Sequence, residues 1–137
     1  MKILIINGPN LNLLGKRNKE VYGNQSFEDF LEGLNKESVA ISYKQSNIEG
    51  ELISFIQDAK VDAIILNAGG YTHTSVALRD CIEAVNTPVV EVHISNLAAR
   101  ESFRHESLIS PVCEGCIVGF GLKGYQLAID YFKNVRE

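Results

Sequence analysis

Two hydrophobic periodicities alternate along the chain. Short apolar runs rich in β-branched residues occupy positions 2–7, 39–45, 63–66, 89–93 and 116–120, and each predicts a strand. Between them lie apolar residues at the i, i+3, i+4, i+7 spacing of a helix face. These are Phe27, Phe30, Leu31 and Leu34, then Leu78, Cys81, Ile82 and Val85, then Tyr125, Ala128, Ile129 and Phe132. Ile48, Leu52, Phe55 and Ile56 mark a further helix. Ser26 and Thr74 stand where an N-cap is needed, and Pro88 stands where a helix has already ended.

Strands alternating with helices imply right-handed crossovers and a parallel sheet covered on both faces. Five of them predict an α/β, doubly wound, flavodoxin-like sheet of strand order 2-1-3-4-5. The 137 residues fit a single domain spanning 1–137. The long gap is residues 8–25, where roughly 2–6 residues would be usual, and it is expected to be a lid over the site.

Composition narrows the function classes. Thirteen basic and 17 acidic residues leave a net charge of −4, shared evenly between the halves, so no basic footprint for nucleic acid is expected. The longest unbroken apolar runs, Ile3 to Ile6 and Ala63 to Leu66, are far below the roughly 20 residues of a membrane span. Met1 and Lys2 lead directly into the first strand without a signal core, which predicts a cytoplasmic protein. An odd set of three cysteines predicts buried, reduced thiols.

Ligands of open α/β sheets bind beyond the carboxyl ends of the strands, and those ends are polar here. The first strand runs into Asn7, Asn10 and Asn12, the third into Asn67 and the Gly69 to His73 turn, and the fourth into His93, Ser95 and Asn96. Loop asparagines are ordinarily turn formers, but two of the three histidines at one edge point to catalysis. Lys16, Arg17, Lys19 and Tyr22 share the first loop. A tyrosine of pKa about 10 needs roughly 4 kcal/mol of phenolate stabilisation to act as a base near neutrality, and a fixed guanidinium can supply much of it. Arg100, Glu101, Arg104 and His105 form a helix-like turn, either a solvated charge face or an anchor for an anionic or hydroxylated ligand.

Four familiar patterns are nearly matched. Gly119, Gly121 and Gly124 spell GxGxxG, but too little chain follows for a dinucleotide domain, so a tight strand-to-helix turn is the better reading. Gly8 to Arg17 has the wrong glycine spacing for a phosphate loop. Cys113 and Cys116 form a lone CxxC without a second pair for zinc. Ser75 lacks the GxSxG elbow of a serine hydrolase.

The run INGPNLNLLG at Ile6 to Gly15, with Arg17 and Tyr22-Gly23, resembles the opening of the type II 3-dehydroquinate dehydratases. Gln45-Ser46-Asn47, GYTHTSVALRD at Gly70 to Asp80, EVHISN at Glu91 to Asn96, Phe103 to His105 and Gly119 to Gly124 continue the resemblance in order. It implies a hydro-lyase that removes water from 3-dehydroquinate by anti elimination through an enolate. The product is 3-dehydroshikimate, in the shikimate pathway of aromatic biosynthesis or in quinate breakdown, and no cofactor or metal is used. The likeness makes Tyr22 the base, Arg17 its activator, Asn10 the holder of a water at the enolate oxygen, and His93 the acid with Glu91 orienting it. It places the substrate carboxylate on Asn67, Ile94 and Ser95 and the ring hydroxyls on His73 and Arg104. Asp80 would act across a subunit boundary in a homododecamer of trimers. Ala68, Ala98, Glu106 and Leu108 depart from the residues usual in that family.

The same residues leave two other classes open. One is a flavodoxin-like binding module without chemistry, and the other is a thiol oxidoreductase using Cys113 and Cys116.

Overall fold

The computed structural model describes residues 1–15 and 26–135. Arg17 and Tyr22 lie outside the described residues. Five described strands, β1 (Lys2–Asn7), β2 (Ala40–Gln45), β3 (Ala63–Asn67), β4 (Val89–His93) and β5 (Gly115–Val118), form one parallel sheet of order β2-β1-β3-β4-β5. The expected doubly wound topology is thus realised. The helices are α1 (Phe27–Glu32), α2 (Glu49–Asp58), α3 (Val76–Ala84) and α4 (Lys123–Val135).

Each helix buries its apolar stripe against one face of the sheet. Ile3, Ile5, Ile65, Val90 and Val92 pack with Phe27 of α1 and with Tyr125, Ala128, Ile129 and Phe132 of α4. Leu4, Ile6, Ile64, Leu66 and Val89 face Leu52 and Ile56 of α2 and Leu78, Cys81 and Ile82 of α3. Being covered twice, β1, β3 and β4 are buried almost throughout, whereas edge strand β2 alternates between exposed and half-buried positions.

The caps are local in origin. Ser26 Oγ accepts from the Asp29 amide at 3.2 Å, and Glu28 and Asp29 complement the dipole of α1. At α3 the cap is Ser75, whose Oγ accepts from the Leu78 amide at 2.9 Å, and not the expected Thr74. Thr74 instead closes the preceding helical turn, its amide bonding to Tyr71.

The register levels the carboxyl ends of the central strands. Asn7 stands opposite Gln45 on one side and Asn67 on the other. Of the expected lid, residues 8–15 are anchored: Leu11–Leu13 form a helical turn, and Leu11 and Leu14 are buried in the core. The rest of the expected lid, residues 16–25, lies outside the described residues.

Candidate active site

The turns leaving β1, β3 and β4 meet in a cavity of about 140 Å³ beyond the carboxyl edge of the sheet. That is below the roughly 300–1,000 Å³ of pockets that bury a drug-sized ligand. Asn10, Asn67, His73, His93, Ile94, Ser95 and Arg104, all expected at the site, line it.

Asn10 sits at φ 70°, in the left-handed region that asparagine tolerates better than most residues. Its amide donates to Asn47 Oδ1 at 3.1 Å, and Tyr71 Oη donates to the Asn47 carbonyl at 2.8 Å. The loops after β1, β2 and β3 are stitched together in this way. Gly8 is required where the first and third cross, because a Cβ there would stand 2.5 Å from the Ala68 carbonyl oxygen.

Asn67 is oriented by two partners. Its Oδ1 accepts from the Gly69 amide at 3.2 Å, and its Nδ2 donates to Tyr125 Oη at 3.0 Å. Tyr125 Oη in turn donates to Asn7 Oδ1 at 2.7 Å. Burial pushes the Tyr125 phenol well above its ordinary pKa, so it stays a neutral donor. The Asn67 amide keeps one further N–H, a donor an anion can use.

His93 and Glu91 project from the same face of β4. His93 Nε2 is hydrogen-bonded to Glu91 Oε2, whose carboxylate also accepts from Ser107 Oγ at 2.9 Å and from Ser110 Oγ. Burial pushes the Glu91 carboxyl up, yet the bonds from His93, Ser110 and Ser107 outweigh it and hold the group below its ordinary value. An ionised Glu91 makes Nε2 the donor. His93 also lines the cavity. Glu91 itself does not reach that cavity and is fully buried behind His93.

His73 Nδ1 lies 2.7 Å from the Glu106 carbonyl oxygen and donates to it. In the neutral ring Nε2 then carries the lone pair and can accept from a hydroxyl. Arg104 Nε lies 3.3 Å from both Glu101 carboxylate oxygens, and its guanidinium lies 4.9 Å over the Phe103 ring. The Arg100 to Arg104 turn is therefore both a charge cluster and a cavity wall. Arg100 also lines the cavity and donates to Ser95 Oγ at 3.2 Å.

A model of the family Dehydroquinase class II matches residues 1–133. The chain belongs to that family. Over 143 residues it is 52% identical to a 3-dehydroquinate dehydratase of Caldicellulosiruptor bescii, covering 99% of each chain. Over 140 residues it is 52% identical to one of Fusobacterium nucleatum, covering 96% of this chain and 95% of the relative. The crystal structure of a type II dehydroquinase from Butyrivibrio crossotus superposes with a TM-score of 0.93 at 48% identity, over 97% of both chains.

Within this dehydroquinase, the departures at positions 106 and 108 fall where the backbone does the work. The carbonyl of Glu106 holds His73, the Leu108 amide donates to the Thr72 carbonyl at 2.9 Å, and the Leu108 carbonyl accepts from Arg79 at 2.9 Å. At either position those bonds use the backbone alone and survive any side chain but proline. Asp80 is exposed on α3 and lies outside the cavity of its own chain.

The cysteines correct one expectation. Cys81 is buried, Cys113 is half-buried and Cys116 is exposed. Burial and the Glu91 charge push both the Cys113 and Cys116 thiols up to about 12, which disfavours a thiol oxidoreductase. Sequence reasoning missed Ser107, Ser110 and the hydroxyl of Tyr125. The serines carry no motif, and Tyr125 is indistinguishable from an apolar residue of the α4 stripe.

Proposed function

We propose that this dehydroquinase removes water from 3-dehydroquinate by anti elimination through an enolate, with no cofactor or metal. Tyr22, activated by Arg17, takes the C2 proton; both lie outside the described residues and are assigned by the resemblance. Asn10 holds the water that bonds the developing enolate oxygen, where fixed dipoles stabilise charge most effectively. His93 delivers a proton from Nδ1 to the departing C1 hydroxyl.

The observation that carries this reading is the buried His93–Glu91 pair at the cavity wall. The Glu91 carboxylate holds the imidazole through Nε2 and so fixes the orientation that a general acid needs. The substrate carboxylate is received by the Asn67 amide and the Ile94 to Ser95 backbone, and the ring hydroxyls by His73 Nε2 and Arg104. The two arginines lining the cavity, Arg100 and Arg104, supply the local positive charge that a protein of net charge −4 lacks as a whole.

Conversion is read from the ultraviolet absorbance of the conjugated enone. Tyr22→Phe and His93→Ala should each lower kcat about 10²- to 10⁴-fold with the circular dichroism spectrum unchanged. Full activity in either variant removes the residue from the mechanism, and absent enone formation by the wild-type chain favours a binding module instead.

Asp80 is proposed to reach a neighbouring subunit in a homododecamer of trimers. One helical turn before it on the outer side of α3, Val76 is 59% exposed, so that side offers an apolar and an acidic residue together. The whole chain is proposed as a single catalytic domain of the cytoplasm. Among the described residues, no helix is long and apolar enough to cross a membrane.

A further inference from the structure

Glu91 and Cys116 are register partners on β4 and β5 and therefore project from the same face of the sheet. His93, two residues after Glu91, shares that face. One ligand atom from each of the three lies within 4.8 Å of the others. A second cavity, about 370 Å³, opens onto Glu91 and Cys116 from the side of Ser107, Ser110 and His105, and it shares only Leu97 and Arg104 with the substrate cavity. Two of the three side chains, Glu91 and Cys116, thus line a cavity other than the substrate's, and His93 lines the substrate cavity.

We propose that Glu91, His93 and Cys116 form an inhibitory site for a thiophilic divalent cation, with Zn²⁺ as the probe. Carboxylate, imidazole and thiolate together are a donor set of borderline-soft cations, and the cavity leaves a fourth position for water. Around zinc such atoms stand roughly 3.2–3.8 Å apart, so Cys116 has to close by about 1 Å while the His93–Glu91 contact opens. Ser107 and Ser110 already hold the carboxylate and serve as its outer partners.

The protons balance simply. The thiol releases one proton to solvent and the neutral imidazole keeps its single proton by moving it from Nε2 to Nδ1. A dication between Glu91 and Cys116 would offset the Glu91 charge that stands beside the thiolate. With the metal on Nε2 the ring cannot take the second proton of an imidazolium, so the acid is lost. This loss of turnover rests on the role proposed for His93, whereas binding does not.

The test titrates the full-length protein with Co²⁺ and follows thiolate-to-cobalt charge-transfer absorption, alongside Zn²⁺ inhibition of turnover. The expected result is a band saturating at one equivalent and inhibition reversed by EDTA. In Cys116→Val the band should vanish and at least tenfold more Zn²⁺ should be needed for half-inhibition, with metal-free turnover unchanged, while Cys113→Ser behaves as wild type. The site is overturned by a wild-type titration without the band, by loss of the band in Cys113→Ser, or by unchanged inhibition in Cys116→Val. A cobalt band at Cys116 with full turnover supports the site and counts against His93 as the acid.

Discussion

Tyr125 shows how much one hydroxyl can carry. Its ring packs edge-on to Phe27 at 4.9 Å, while Oη bridges Asn7 and Asn67, both buried at the end of the central strands. Tyr125→Phe keeps the ring and leaves an amide oxygen and an amide N–H unpaired, which costs about 1–3 kcal/mol. Urea unfolding should show a lower midpoint with the slope unchanged. The same residue sets an alkaline limit. Burial, the largest cause, raises its folded pKa above the unfolded value of about 10, so its contribution is complete below that pH and is lost as pH rises toward the folded value. The gap in stability between wild type and Tyr125→Phe should therefore narrow above pH 10, and a constant gap would contradict this.

At the level of elements, the crossing of the β1 and β3 loops decides where the cavity walls stand. Gly8 admits the Ala68 carbonyl, and Ala68 is itself fully buried at φ −77°. That φ lies within the range of proline, the residue usual in the resembled family, and the preceding Asn67 ends a strand, as a residue before proline prefers. Ala68→Pro should consequently stabilise the protein by about 0.4–1 kcal/mol with turnover retained. Gly8→Ala forces two backbones apart and should lower both the melting temperature and kcat. Thermal melts with enone assays check the pair, and a destabilised Ala68→Pro would mean that the loop cannot accept the ring.

On the scale of the whole molecule, the cavity is small and part of its expected wall is missing from its own chain, since Asp80 points elsewhere. The homododecamer of trimers proposed above predicts that the 15.1-kDa chain sediments as a multiple of a trimer. Asp80→Ala should lower kcat/KM without changing the circular dichroism spectrum. A fully active monomer would remove Asp80 from the site.

Strand order, helix faces and the polar strand ends were legible in the sequence because each follows from local periodicity and from the chirality of crossovers. Asn10, Asn67, His73 and His93 could be named at one edge for that reason alone. The serines on Glu91, the Tyr125 bridge and the pairing of Cys116 with Glu91 were decided only in three dimensions. They depend on the register between strands and on where the 105–113 segment folds back. Shifting β5 by one residue would turn Cys116 to the other face without altering any sequence pattern. Hydrophobic patterning thus determined which elements form and how they are layered, whereas long-range packing selected the contacts that give Glu91 its serines and the cavity its shape.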